Sequence, residues 1–254
     1  MFDFSTFSLF DLLPFIAVGF AAQLIDGALG MAFGVISTTL LLSLGVPPAA
    51  ASAGVHTVET FTTGVSAISH SVQRNVDWRL FARLAIPGVI GGVLGAYVLT
   101  SIDAGTIKPF ILTYLAAIGV YLIWRGFYFP EERKPARVVE PIGLIGGFLD
   151  AAGGGGWGPV VTGNLLVQGA EPRQTIGTVN TAEFVVTLSI SATFIATLGF
   201  AAFTVATLGL LIGGVVAAPL GAWATKRIAP KSLLKLVGIL LTLTSVFGVY
   251  RALA

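Results

Sequence analysis

The sequence predicts an all-α integral membrane protein of two inverted-topology repeats, each a helix-break-helix (re-entrant) hairpin plus three transmembrane helices. A composition suited to hydrocarbon, an internal duplication, and opposite charge in matched loops predict it. Apolar residues make up 55% of the 254-residue chain and charged residues 10%, with a mean hydropathy of +0.92. Most of such a chain sits in lipid, and its length allows about six to eight spans with almost no soluble domain. Residues 19–59 align without a gap on residues 143–183 at an offset of 124, and 13 of the 41 pairs are identical. Chance would give about three.

The first apolar stretch, residues 12–44, is too long for one span. Its 33 residues would reach about 50 Å as a helix. Halved, it gives two helices of about 24 Å against a hydrocarbon core of about 30 Å. Gly27, Gly30 and Gly34 lie near its middle, so it reads as a hairpin whose irregular tip is buried in protein or lines a cavity. Crossings follow at 50–69, 81–99 and 106–124. The second half repeats the order, with a hairpin at 141–168 and crossings at 175–198, 203–224 and 233–250. Residues 1–128 thus form the first repeat, 129–140 a linker, and 141–254 the second repeat.

Loop charges orient these elements. Arg74, Arg79 and Arg83 follow the first crossing, whereas the matched loop near Gly199 is uncharged. The loop at 100–108 nets zero with Asp103 and Lys108, while its counterpart carries Lys226, Arg227, Lys231 and Lys235. Matched loops of opposite character place the repeats in opposite orientations, with the linker (Arg125, Arg133, Lys134, Arg137) in the cytoplasm. Of the 14 basic residues only Lys108 and Arg251 then fall outside. No basic residue precedes Arg74, so the start lacks the positive region of a signal peptide and is expected to belong to the mature chain. Both termini are expected outside the cytoplasm.

The pI of about 9.0 reflects these short loops rather than nucleic-acid binding. The chain has no cysteine, which excludes disulfides, thiolate catalysis and Cys-ligated metals. Neither H-E-x-x-H, G-x-S-x-G nor a paired acidic diphosphate motif is present, so an intramembrane enzyme is disfavoured and no cofactor or metal is expected.

Duplicated, Gly-broken apolar segments with matched polar residues are the sequence sign of a secondary transporter. Asp26 matches Asp150, Gly30 matches Gly154, Gly34 matches Gly158, Thr57 matches Thr181, and Glu59 matches Glu183. Acids at this depth are costly, so the four carboxyls are candidate proton carriers. The alternative for Asp26 and Asp150 is capping of the next half-helix. For Glu59 and Glu183 it is interhelical bonding of about 0.6 kcal/mol. His56 and Glu59 stand one helical turn apart on one face, with Asn180 matching His56.

Candidate anion ligands are Gln23, Gly30, Gly34, His56, Thr57, Asn180 and Thr181, with the second tip, Gly154, Gly155, Gly156, Trp157 and Gly158. A run of glycines at a tip exposes successive N–H groups to an anion. Gly91-x-x-x-Gly95 and Gly209-x-x-x-Gly213 read as helix packing instead. Ser37, Thr38, Thr162 and Asn164 are further candidate lining groups, although Ser and Thr often bond back to their own helix. Trp157 either closes a cavity or fills it. Trp78, Trp124, Tyr128 and Trp223 read as interfacial belt residues.

The segment from Gly19 through Asp26, Gly27 and Gly30 to Gly34, its recurrence from Gly143 through Asp150 and Gly154 to Gly158 and Pro159, and the Gly45–Pro48 and Gly169–Pro172 turns resemble the TauE/SafE family of sulfite exporters. The resemblance runs from about residue 15 to 250 and implies a bacterial inner-membrane permease. Its cargo would be a sulfur oxyanion or organosulfonate, without nucleic-acid partners. It leaves open a cation or carboxylate carrier using the intramembrane acids, the coupling ion, and a homodimer.

Overall fold

The computed structural model describes residues 9–128, 136–199, 205–224 and 230–253, and among these it is helical throughout with no strand. The first half comprises α1 (Leu9–Leu29), α2 (Phe33–Ser43), α3 (Pro48–Val72), α4 (Trp78–Ser101) and α5 (Ala104–Phe127). The second comprises α6 (Glu140–Gly153), a π-helical segment (Trp157–Thr162), α7 (Gly163–Val167), α8 (Pro172–Leu198), α9 (Val205–Ala224) and α10 (Pro230–Leu253). The π segment and α7 together cover residues 157–167, which is α2 shifted by 124. Lys226, Arg227, Phe203 and most of the charged linker lie outside the described residues.

Local chemistry sets these boundaries. Both hairpins break where a glycine enters the left-handed region, Gly30 at φ 66° and Gly154 at φ 69°. Both returning arms close on a second such glycine, Gly45 at φ 88° and Gly169 at φ 94°. Their amides donate to Leu42 O and Leu166 O, each at 3.1 Å, so the same helix stop is used twice. Pro48 and Pro172 open the next helices at a position where a missing N–H costs nothing. Asp77 caps α4 through Arg79 N and Leu80 N, Asp103 caps α5 through Thr106 N, and Glu171 caps α8 through Gln174 N.

The hairpins differ from expectation in one respect. At 21 residues, α1 reaches about 31 Å and by itself approaches the thickness of the hydrocarbon core. The break therefore lies late in the first stretch, because the helix extends back to Leu9. Three described helices are both long and apolar enough to cross a bilayer: Trp78–Ser101, Thr106–Phe127 and Arg173–Leu198. α3 has the length, with 25 residues, but carries His56, Glu59, Thr62, Thr63 and Ser66 buried against the rest of the protein.

The two halves are interleaved. α1 packs on α9 and α6 on α4, while α3 pairs with α8 and α5 with α10. α3 and α8 run antiparallel, with Gly64 against Phe184, Thr60 against Ser191, and Asn75 against Gly177. α5 and α10 do the same, with Leu112 at Gly248, Gly119 at Thr242 and Gly126 at Lys235. The four packing glycines behave as read from the sequence. A Cβ on Gly91 would stand 2.9 Å from Phe148 N, and one on Gly213 would stand 2.7 Å from Phe20 N. Trp78, Trp124 and Tyr128 are exposed near the ends of α4 and α5, as a belt requires; the side chain of Trp223 lies outside those described.

Gly91→Leu is therefore expected to push α4 off α6 and destabilise the fold by roughly 1–3 kcal/mol. Thermal unfolding in detergent, with the lipid-exposed Ile90→Ala as control, measures it; equal melting of the two variants would refute this packing.

Candidate functional site

The two broken tips touch, and they do so reciprocally. Thr162 of the second hairpin donates its hydroxyl to Gly30 O at 2.8 Å. Its match in the first hairpin, Thr38, donates to Gly154 O. Gly30 and Gly154 are themselves a matched pair, so residue and partner exchange places between the halves, as in an isologous interface. Contacts between the adjoining glycines follow the same exchange. A Cβ on Gly34 would lie 3.6 Å from Gly154 O, and one on Gly158 would lie 2.8 Å from Gly30 O.

Each break also frees backbone N–H groups, and the two aspartates receive them. Asp26 Oδ1 accepts from Phe33 N at 3.3 Å. Asp150 Oδ1 accepts from Gly156 N at 2.8 Å and Trp157 N at 3.0 Å. Phe33 and Trp157 are again a matched pair. The capping role anticipated for both acids is thus present in the geometry, more strongly at the second tip. Ala32 pays for the first tip in backbone strain, with φ 123°, whereas its match Gly156 has φ −170°.

Beside the clasp lies a small hollow. It is lined by Asp26, Glu59, Asp150 and Glu183 and walled by backbone at Gly34, Gly155, Gly156 and Gly158. Its volume of about 10 Å³ is room for roughly one water. Asp26 and Asp150 arrive from the ends of α1 and α6, and Glu59 and Glu183 from the middles of α3 and α8. All four are buried, with 5% exposure or less. Glu59 Oε2 and Glu183 Oε2 have no hydrogen-bond partner among the described residues.

His56 breaks the two-fold pattern. Its Nε2 lies 3.1 Å from Asp150 Oδ2 and 4.0 Å from Glu59 Oε2. Its Nδ1 lies 2.7 Å from Ser52 O, a carbonyl that can only accept, so Nδ1 carries a proton. Nε2 and Asp150 Oδ2 then share one further proton between them. Ser52 fixes the ring's setting by donating to Ala151 O at 2.7 Å. The matched Asn180 is fully buried, and both its amide atoms lack partners among the described residues.

Other candidates fall elsewhere. Thr57 and Thr181 turn their hydroxyls back to Ala53 O and Gly177 O and do not line the hollow. Gln23 is buried in α1 with its amide unpartnered among the described residues, also away from the lining. Trp157 is fully buried, donates Nε1–H to Val179 O at 3.2 Å and lies against Gly88, so it fills the core behind the tip. Asn164 bonds back to Val160 O. The reciprocal role of Thr38 and Thr162 was missed; their identity at the 124 offset, together with Gly30 and Gly154, is the signal that carried it. Tyr114, beside Gly153 and Gly156, had no such signal, since it sits in an ordinary apolar stretch.

A duplicated helical membrane protein with buried acids at paired helix breaks belongs among transporters, and comparison with known proteins agrees. Residues 15–248 match the family described as the sulfite exporter TauE/SafE, and the chain belongs to that family. It is 42% identical over 239 residues to the "Probable membrane transporter protein YtnM" of Bacillus subtilis (strain 168), covering 89% of this chain and 79% of that one. It is 30% identical over 158 residues to a "Probable membrane transporter protein" of Haemophilus influenzae, covering 60% and 61% of the two chains. No solved structure matches.

Asp150→Ala should strand two buried N–H groups and Asp26→Ala one, at about 1–3 kcal/mol per unpaired donor. The Asp150 variant is accordingly expected to melt lower in detergent than the Asp26 variant. The opposite order would show that the caps are not what hold the tips.

Proposed function

We propose that the chain is a secondary carrier for a small sulfur-containing anion, sulfite or an organosulfonate, working by alternating access with proton coupling between two inverted repeats. The observation that carries this reading is the convergence of both hairpin tips and all four intramembrane acids on one hollow. Inversion is supported by the antiparallel pairing of α3 with α8 and of α5 with α10. Equivalent helices that cross a bilayer in opposite senses require a two-fold axis in the membrane plane.

Coupling follows from charge. An anion about 4 Å from one ionised carboxylate is repelled by about 4 kcal/mol at an effective dielectric of 20. Four carboxyls lining one hollow therefore exclude an anion unless protons, or His56 as a cation, offset them. The N–H groups of Gly156 and Trp157, held by Asp150 Oδ1 in the closed tip, would hold an oxyanion without a full positive charge once Asp150 releases them. Room for one water does not admit sulfite, so the anion enters only as the hairpins part. His56 and Glu59 on α3 and Asp150 at the second tip are the groups whose protons that parting redistributes.

A cation carrier is the competing reading, favoured by the ligand atoms of His56, Glu59 and Asp150, which lie within 4.8 Å of one another. In proteoliposomes, the anion reading expects uptake of sulfite or an organosulfonate, stimulated by a pH gradient, over sulfate and carboxylates. Glu59→Gln should then flatten the pH dependence while retaining uptake. Loss of all cation binding in that variant, with no anion moved by the parent protein, would establish the cation reading instead.

A further inference from the structure

A groove of about 400 Å³ opens at the far end of α2 from the hollow. It is lined by Ser43, Leu44 and Gly45 of the turn after α2, Lys108 and Leu112 of α5, and Phe247 of α10. Lys108 is half-buried and makes no ion pair among the described residues. A cation held among leucines and a phenylalanine suits a ligand with an anionic head and an apolar body.

The matched turn in the second half is built on the same glycine stop but is strapped shut. Gln168, which corresponds to Leu44, accepts from Arg137 N at 2.9 Å and Val138 N at 3.0 Å and donates to Val138 O at 3.1 Å. The end of the linker therefore covers that turn, and Arg125 reaches the adjoining Gly163 O at 3.3 Å. Lys108 and Arg125 stand 17 residues apart on α5, about 26 Å along its axis. Among the described residues, the turn near Lys108 is open and the turn at Gln168 is tied.

Two helices join the open groove to the acidic hollow. α2 runs from Ser43 to Gly34, about 14 Å, and α5 carries Tyr114 to the glycines of the second tip. The buried hydroxyls of Thr39 on α2 and Tyr114 on α5 have no partners among the described residues. They are polar groups held on the elements between groove and hollow.

We propose that this groove is an anion-capture vestibule on the face opposite the linker, with Lys108 drawing in a small organic anion that then passes along α2 to the hollow. This rests on the carrier reading above. The walls of the groove favour an organosulfonate over a bare oxyanion, because Leu44, Leu112 and Phe247 shelter an apolar body that sulfite lacks.

The chain contains no cysteine, so Ser43→Cys places a unique thiol in the groove of the full-length protein. Its labelling rate in proteoliposomes is measured with two methanethiosulfonates, one bearing a sulfonate and one a trimethylammonium. The sulfonate reagent is expected to react faster, and ethanesulfonate should slow it. Lys108→Glu should lower the sulfonate-to-ammonium rate ratio about tenfold, while Lys108→Arg preserves it. A ratio unmoved by Lys108→Glu, or exclusion of both reagents alike as by a resident lipid, overturns the vestibule. If charge-selective labelling holds but no anion is taken up by the parent protein, the carrier reading fails and the anion site stands. If uptake proceeds and the ratio does not respond, the vestibule alone fails.

Discussion

The structure depends on how two interrupted helices satisfy their backbone where no water is at hand. An unpaired N–H or C=O in hydrocarbon costs several kcal/mol, and each break exposes both kinds. The N–H groups are taken by an aspartate of the same hairpin: Asp26 for Phe33, Asp150 for Gly156 and Trp157. The carbonyls of Gly30 and Gly154 are taken by threonines of the other hairpin. Neither tip is complete alone, so the two must stay together or expose their carbonyls to water as they separate. The proposed alternating access would rest on these two states, clasped and hydrated.

Small residues at the tips follow from the same requirement. Gly34 and Gly158 let one backbone approach the other, and Glu59 Oε1 would stand 2.9 Å from any Cβ added to Gly34. The acids and the clasp therefore share a wall. Asp150 serves the backbone through Oδ1 and His56 through Oδ2, so a change in its protonation acts on the tip and on α3 together. Among the described residues Asp26 has no histidine beside it, since Asn180 stands at the position that matches His56. The duplicated scaffold and its four acids are matched between the halves, while His56 and Asn180 are not.

Much of the scaffold was legible in the sequence. The 124 offset placed both hairpins, their glycine stops and the proline starts of α3 and α8, since left-handed turns and missing N–H groups leave few residue choices. The matched acids were legible as costly groups, and the structure brings all four to one hollow. What stayed hidden depends on contacts between distant segments. Thr57 and Thr181 look like site residues by matching, yet a helical threonine can bond to its own backbone, and these do. The π-helical start of the second returning arm was not legible either: Pro159 marks the segment as irregular but does not say which irregular form it takes.

In the carrier cycle proposed above, the size of the hollow sets the energetic scale. On that reading an oxyanion, which does not fit a hollow of about 10 Å³, would enter only as the tips part. Parting releases the two threonine-to-carbonyl bonds, each worth about 1 kcal/mol net when water replaces the partner. The cost is thus a few kcal/mol, small enough for the binding of one anion or one proton to shift the balance, since a ligand moves an equilibrium only by its differential affinity. A clasp built from charged pairs would hold far more tightly and would need correspondingly more to open. Two neutral hydrogen bonds, duplicated by symmetry, keep the tips closed yet within reach of the groups lining the hollow.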